Sequence, residues 1–110
     1  LKKLGPEPFS VLFCVKYVQK FIKNRKKNIK NLLMDQTFVS GLGNIYVNEA
    51  LFMSKIKPLR ICKNLNKNEV KSLILNIKKI LIKFINLLNI KTQFVLGEVT
   101  VYMQNQLLLV

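Results

Sequence analysis

The chain has 110 residues, half of them hydrophobic, with 19 lysines and arginines against five acidic residues and a formal charge of +14. That length supports one modest core, and no apolar run reaches the roughly 18 residues of a membrane span, so no membrane partner is expected. The start, Leu1-Lys2-Lys3-Leu4-Gly5-Pro6, lacks the apolar stretch of a secretory signal, and two unpaired cysteines suit a reducing interior, so the expected setting is cytoplasmic. The charge favours a polyanion bound in a salt-dependent, sequence-independent way. Over-use of Lys, Asn, Ile and Phe is also the mark of A+T-rich coding, so part of the charge reads as solvated surface.

Past Pro6 and Pro8, Ser10 is a candidate N-cap, and Val11, Cys14, Val15, Val18, Phe21 and Ile22 recur at helical spacing with Lys16, Lys20 and Lys23 opposite. This predicts an amphipathic helix with Cys14 on its buried face. The basic run Lys23-Asn24-Arg25-Lys26-Lys27-Asn28 reads as a solvated hinge or a surface that touches DNA. A short helix follows, with Ile29, Leu32 and Leu33 on one face. Gly41 and Gly43 bracket a turn where the backbone can take positive φ or meet another molecule closely, and Asn44 is expected to cap a helix from about Ile45 that ends before Pro58. A helix N-terminus of that kind favours an anion.

The clearest helix begins near Asn66, which forms a capping box with Glu69. Val70, Leu73, Ile74, Ile77, Leu81, Phe84 and Leu88 mark its apolar face, and Leu75 and Ile82 lie off it. Cys14 and Cys62 form no Cys-x-x-Cys pair and histidine is absent, so no zinc site can be assembled and no cofactor is expected in this chain.

Asp35-Gln36, then Gly41-Leu42-Gly43-Asn44-Ile45-Tyr46, then Glu49-Ala50-Leu51-Phe52 resembles the helix–two-turn–helix of bacterial formamidopyrimidine-DNA glycosylases, relatives of endonuclease VIII. Leu4-Gly5-Pro6-Glu7-Pro8-Phe9-Ser10 and Ile29 to Gln36 extend the likeness. It implies an all-α, four-helix DNA-binding domain over residues 1–92. Residues 93–110 are expected to be a divergent, short β-like remnant leading toward a missing zinc hairpin, since Val101-Tyr102 is followed by Met103-Gln104 and an apolar end where the first zinc cysteine would stand.

By the same resemblance the partner is double-stranded DNA carrying a damaged base or an abasic site, bound by a monomer. Gly43 and Asn44 hold the backbone beside the lesion, Lys30 lies close to the damaged nucleotide, and Tyr102 adds a phosphate contact. Each side chain also has a structural reading: Asn44 as a helix cap, Lys30 as a solvated lysine, Tyr102 as a core aromatic. The family's nucleophile, an N-terminal proline amine followed by glutamate, does not stand in this chain, so no catalytic residue is assigned and the chain is expected to be inactive alone. It reads as the middle domain of an enzyme; the alternatives are a basic RNA-binding or ribosomal-type protein, or a non-functional relic.

Overall fold

The structure, a computed structural model, describes residues 3–96, with helix side chains through residue 88. Four α-helices occur there: α1 Val15–Ile22, α2 Ile29–Met34, α3 Asn44–Met53 and α4 Lys67–Leu96, with a single 3₁₀ turn at Cys62–Asn64. The all-α, four-helix architecture is as expected. No strand is present among the described residues, where one antiparallel bridge joins Asn28 to Ile61. The β-like remnant at 93–110 falls largely outside the described residues. The chain divides into two units, Leu1–Ile80 and Leu81–Val110.

The first helix begins later than its periodicity predicts. Ser10 caps no helix: its hydroxyl accepts from the Leu12 N–H (3.1 Å), and the Phe13 N–H donates to the Ser10 carbonyl (3.1 Å). This turn swings Phe13 into the core and leaves Val11 and Leu12 in solvent. Cys14 becomes the N-cap, extended and exposed, so the expectation of a buried Cys14 fails. Cys62 is the cysteine that behaves as a core hydrophobe, and its burial pushes the thiol pKa up.

Within α1, Val18 and Ile22 are buried, and Tyr17 and Phe21 join Phe13 around Phe38. The ring centroids of Tyr17 and Phe21 lie 5.6 Å and 4.7 Å from that of Phe38. Offset and tilted aromatic pairs of this kind add about 0.5–1.5 kcal/mol beyond the area they bury.

The basic run after α1 is pinned in several places. Arg25 lies 4.0 Å over the Phe21 ring and donates from Nε to the Phe21 carbonyl (2.9 Å), while Lys27 pairs with Asp35 (3.2 Å). The Lys27 carbonyl accepts from the Cys62 N–H (2.9 Å). Asn28 then caps α2 by accepting from the Asn31 N–H (2.8 Å). Further on, the Ile29 and Lys30 amides donate to the carbonyls of Arg60 (2.8 Å) and Pro58 (3.1 Å), so the start of α2 is closed by the loop that follows α3.

Helix α3 ends in a Schellman motif. The Ile56 N–H donates to the Leu51 carbonyl (3.0 Å) and the Lys55 N–H to the Phe52 carbonyl (3.1 Å), while Ile56 and Leu51 are both buried. Lys55 occupies the left-handed position of this motif with φ +58°, where glycine is the usual residue.

At the head of α4 the capping box forms as expected. Asn66 Oδ1 accepts from the Glu69 N–H (2.8 Å) and Glu69 Oε1 from the Asn66 N–H (3.0 Å). The sequence did not announce Arg60, whose guanidinium forks onto both Glu69 oxygens at 2.6 and 3.0 Å and lowers the carboxyl pKa. The apolar face of α4 is buried at Val70, Leu73, Ile74 and Ile77, with Ile80 added. Leu81 and Phe84 are half-buried and Leu88 is exposed, as are Leu75 and Ile82. Asn76 is a buried polar residue on this helix, donating to the hydroxyls of Ser54 (2.9 Å) and Ser72 (3.4 Å) and so tying α4 to the end of α3.

Lys55→Gly should stabilise the protein by about 0.5–1 kcal/mol, because relief of the left-handed strain outweighs the extra freedom glycine gains when unfolded. A higher urea midpoint at unchanged slope checks this.

Candidate nucleic-acid interface

The turn between α2 and α3 is built from its base upward. Asp35 ends α2, its N–H donating to the Leu32 carbonyl (3.0 Å), and its carboxylate accepts from the Thr37 N–H (2.9 Å) and hydroxyl (2.7 Å). These bonds, with the smaller help of Lys27, hold the Asp35 carboxyl below its ordinary 3.8 at about 2. Phe38 and Val39 then bury completely and Leu42 almost so, anchoring the loop in the core.

The lead-in segment braces the same loop from outside. The Gly5 N–H donates to the Gln36 carbonyl (2.8 Å) and the Ser40 N–H to the Pro6 carbonyl (3.0 Å). A Cβ on Gly5 would stand 2.5 Å from the Phe38 carbonyl oxygen, so only glycine fits. The Tyr17 hydroxyl donates to that carbonyl oxygen (2.6 Å), and burial raises the pKa of the phenol.

The two turn glycines differ. Gly41 has φ +90°, and the Gln36 carboxamide oxygen accepts its N–H (2.9 Å), fixing the turn against the end of α2. Gly43 has φ −101°, and an added Cβ would make only ordinary contact with the Tyr46 ring at 3.6 Å. Positive φ therefore explains glycine at 41 and not at 43.

Gly43 is also the N-cap of α3, and Asn44 is the first helical residue, so the reading of Asn44 as the cap is corrected. The cap position has no side-chain hydrogen bond, because glycine offers none. Asn44 is exposed; its Oδ1 meets Asn48 Nδ2 at 3.5 Å, and its own NH₂ has no hydrogen-bond partner among the described residues. The backbone N–H groups of Asn44 and Ile45 have no acceptor within the helix. The amides that open α2 and α4 are by contrast taken up by the Pro58 and Arg60 carbonyls and by the Asn66–Glu69 box.

Lys30 sits in the first turn of α2, half-buried, with its side chain in no ion pair among the described residues. Helices α2 and α3 pack against each other, so Lys30 and the Gly43–Asn44 turn belong to adjoining elements. Tyr102 lies outside the described residues. Sequence reasoning missed Gln36 as the clamp on Gly41 and Gly5 as the close-approach residue; the fixed spacing of Gln36 to Gly41 was the available signal.

Two short helices, α2 and α3, joined through this double turn, preceded by α1 and followed by the long α4, define a helix–two-turn–helix domain. Residues 4–95 match the Formamidopyrimidine-DNA glycosylase H2TH domain. The chain belongs to that family. It is 49% identical over 73 residues to the formamidopyrimidine-DNA glycosylase of Prochlorococcus marinus subsp. pastoris, covering 66% of this chain and 25% of that protein. It is 51% identical over 77 residues to the Lactobacillus gasseri enzyme, covering 70% and 28%.

Among solved structures, the Lactococcus lactis glycosylase bound non-covalently to DNA containing an AP site superposes with a TM-score of 0.70 at 40% identity, over 74% of this chain and 32% of that one. The MutM (Fpg) protein of Thermus thermophilus gives 0.69 at 35% identity, over 73% and 30%. The chain thus spans between a quarter and a third of the length of these relatives.

The structural zinc that the resemblance implies for the intact family does not fit the residues present. The sequence has two cysteines and no histidine, Cys14 is exposed while Cys62 is buried, and no metal-binding cluster of acidic residues and cysteines occurs among the described residues.

Because the folded pKa of Asp35 is depressed, its contribution to stability is fully present above about pH 4 and is lost as the pH falls toward about 2. Asp35→Asn should lower stability at neutral pH and flatten the decline across that window. Urea midpoints measured against pH would show it, and an acid limb as steep as the parent's would contradict it.

Proposed function

We propose that this chain is the damaged-DNA-binding part of a formamidopyrimidine-DNA glycosylase with AP lyase activity, acting in base excision repair on duplex DNA. Residues 1–92 serve as the binding unit. The observation that carries the reading is the start of α3: an uncapped helix N-terminus, a glycine with no conformational reason to be one, and an exposed asparagine amide side by side. Together they suit a phosphate that approaches the backbone closely and accepts hydrogen bonds from amides at the positive pole of the helix.

Gly43 and Asn44 hold the phosphate beside the lesion, Lys30 neutralises backbone near the damaged nucleotide, and Tyr102 supplies a further phosphate contact. Extruding a base from the stack costs a few kcal/mol, which such backbone contacts offset. The formal charge of +14 adds attraction that weakens as salt rises. The solved complex of the Lactococcus lactis relative with AP-site DNA supports the choice of ligand. The expected setting is the bacterial cytoplasm, in association with the nucleoid.

Asn44→Ala removes no cap, so its stability should stay within about 0.5 kcal/mol of the parent. It should cost roughly 1 kcal/mol of affinity for abasic-site duplex. Asn44→Asp places a carboxylate where the dipole welcomes it but the phosphate does not, so it should keep stability and lose more affinity than Asn44→Ala or the exposed control Asn68→Asp. Thermal melts paired with salt-titrated binding test this; equal affinity losses at 44 and 68 would refute the assignment.

The 110-residue chain should neither release oxidised guanine nor trap on abasic DNA under borohydride beyond the level of a scrambled basic peptide. The family's proline amine does not stand in this chain, and a lysine ammonium is no Schiff-base nucleophile until it loses its proton. Trapping well above that control would mean the chain holds its own nucleophile.

A further inference from the structure

We propose that the hinge between α1 and α2, together with the 3₁₀ turn beside it, is a second phosphate contact for the bound duplex, centred on Arg25 and flanked by Lys26 and Lys63. The proposal rests on the duplex-DNA reading above and extends it to residues outside the α2–α3 turn. The hinge runs directly into α2, where Lys30 stands one residue past Ile29.

Arg25 is held in place with its working end unused. Its guanidinium lies 4.0 Å over the Phe21 ring, and its Nε donates to the Phe21 carbonyl (2.9 Å). Nη1 and Nη2 have no hydrogen-bond or ionic partner among the described residues, and the residue is exposed. Arg60, the other arginine of the chain, is by contrast fully engaged by Glu69 and the Asn64 carbonyl. An ordered guanidinium with two free nitrogens side by side suits a phosphate taken in a fork.

The backbone oxygens that would repel a phosphate here are turned onto donors. At the end of α1, the Phe21 carbonyl accepts from Arg25 Nε and the Ile22 carbonyl from the Arg25 N–H (3.1 Å). The Arg25 carbonyl accepts from the Cys62 thiol (3.4 Å) and the Lys27 carbonyl from the Cys62 N–H (2.9 Å).

That last bond and the antiparallel Asn28–Ile61 bridge bring Lys26 and Lys63 to the same end of the paired segments. Both lysines are exposed, and neither has a carboxylate partner among the described residues. Like charges held side by side across paired segments cost stability, and a phosphate between them removes that cost. Lysine is depleted from protein–protein interfaces, so a protein surface suits this patch less well than a polyanion.

The test is fluorescence anisotropy of the 110-residue chain on a labelled abasic-site duplex over a range of salt. Lys26→Gln and Lys63→Gln should each weaken binding about threefold and lower the salt slope by about 1, with unchanged melting. Lys79→Gln, an exposed lysine three turns into α4, is the control for lost net charge and should leave the slope unchanged. Arg25→Lys keeps the charge without the fork, so it should weaken binding about fivefold.

Hinge variants that lose no more than Lys79→Gln overturn the proposal, and parent-like affinity of Arg25→Lys overturns the role given to Arg25. Losses on a hairpin RNA with none on duplex DNA overturn it in favour of an RNA partner. Asn44→Ala on the same duplex separates the two readings. A loss there with none at the hinge strikes the second contact alone, whereas a loss at the hinge with none at Asn44→Ala supports the second contact and strikes the anchor.

Discussion

The two-turn segment depends on Phe38. Its ring is fully buried among Phe13, Tyr17 and Phe21, and its carbonyl oxygen is held by the Tyr17 hydroxyl at 2.6 Å with Gly5 pressed against the same peptide unit. A loop fixed at one point in this way cannot drift, and the residues on either side inherit its position. Gln36 reaches from one side to hold Gly41, and Leu42 buries on the other, so the direction in which α3 starts is set before the helix begins. Rigid support is what the phosphate contact proposed for this turn requires, because hydrogen bonds to phosphate lose much of their value when the donors must first be ordered.

The polar groups that could have competed with the turn for a ligand are satisfied internally. Asp35 is occupied by Thr37 and Lys27, Glu69 by Arg60 and the Asn66 amide, and Asn76 by Ser54 and Ser72. Asp35 and Glu69 are two of the five acidic residues in the chain, and each is placed where a neighbouring cation offsets it. The domain therefore shows a polyanion mostly unpaired lysine, and these two carboxylates serve turns and caps. Surface ion pairs of this sort add little to stability, at most about 1 kcal/mol each. Their larger effect is to fix loop geometry through the hydrogen bonds they carry.

Helix α3 has chemically opposite ends. At its N-terminus the amides of Asn44 and Ile45 have no acceptor within the helix and stand beside a glycine; its C-terminus has a closed Schellman motif, an exposed phenylalanine and two lysines.

Local pattern settled much of this protein from the sequence. The Asn66–Glu69 capping box, the buried stripe from Val70 to Ile77, the Ile29–Leu32–Leu33 face and the Gly41 turn all follow from spacing, because the interactions that make them lie within one helical turn or one loop. The ordered blocks from Asp35 to Phe52 also carried the family. Tertiary structure decided the rest, where partners are distant in the chain. Ser10 and Cys14 satisfied helical spacing, but drawing Phe13 onto Phe38 demanded a turn there, so Cys14 went to solvent and α1 began at Val15. Asn44 resembled a cap, yet the turn delivered Gly43 to that position and left the asparagine exposed. Lys55 gave no local sign of a left-handed backbone; that came from burying Ile56 against Leu51 across the end of α3. Hydrogen bonds close in sequence can be read from residue types, whereas burial across the fold overrides them when the two disagree.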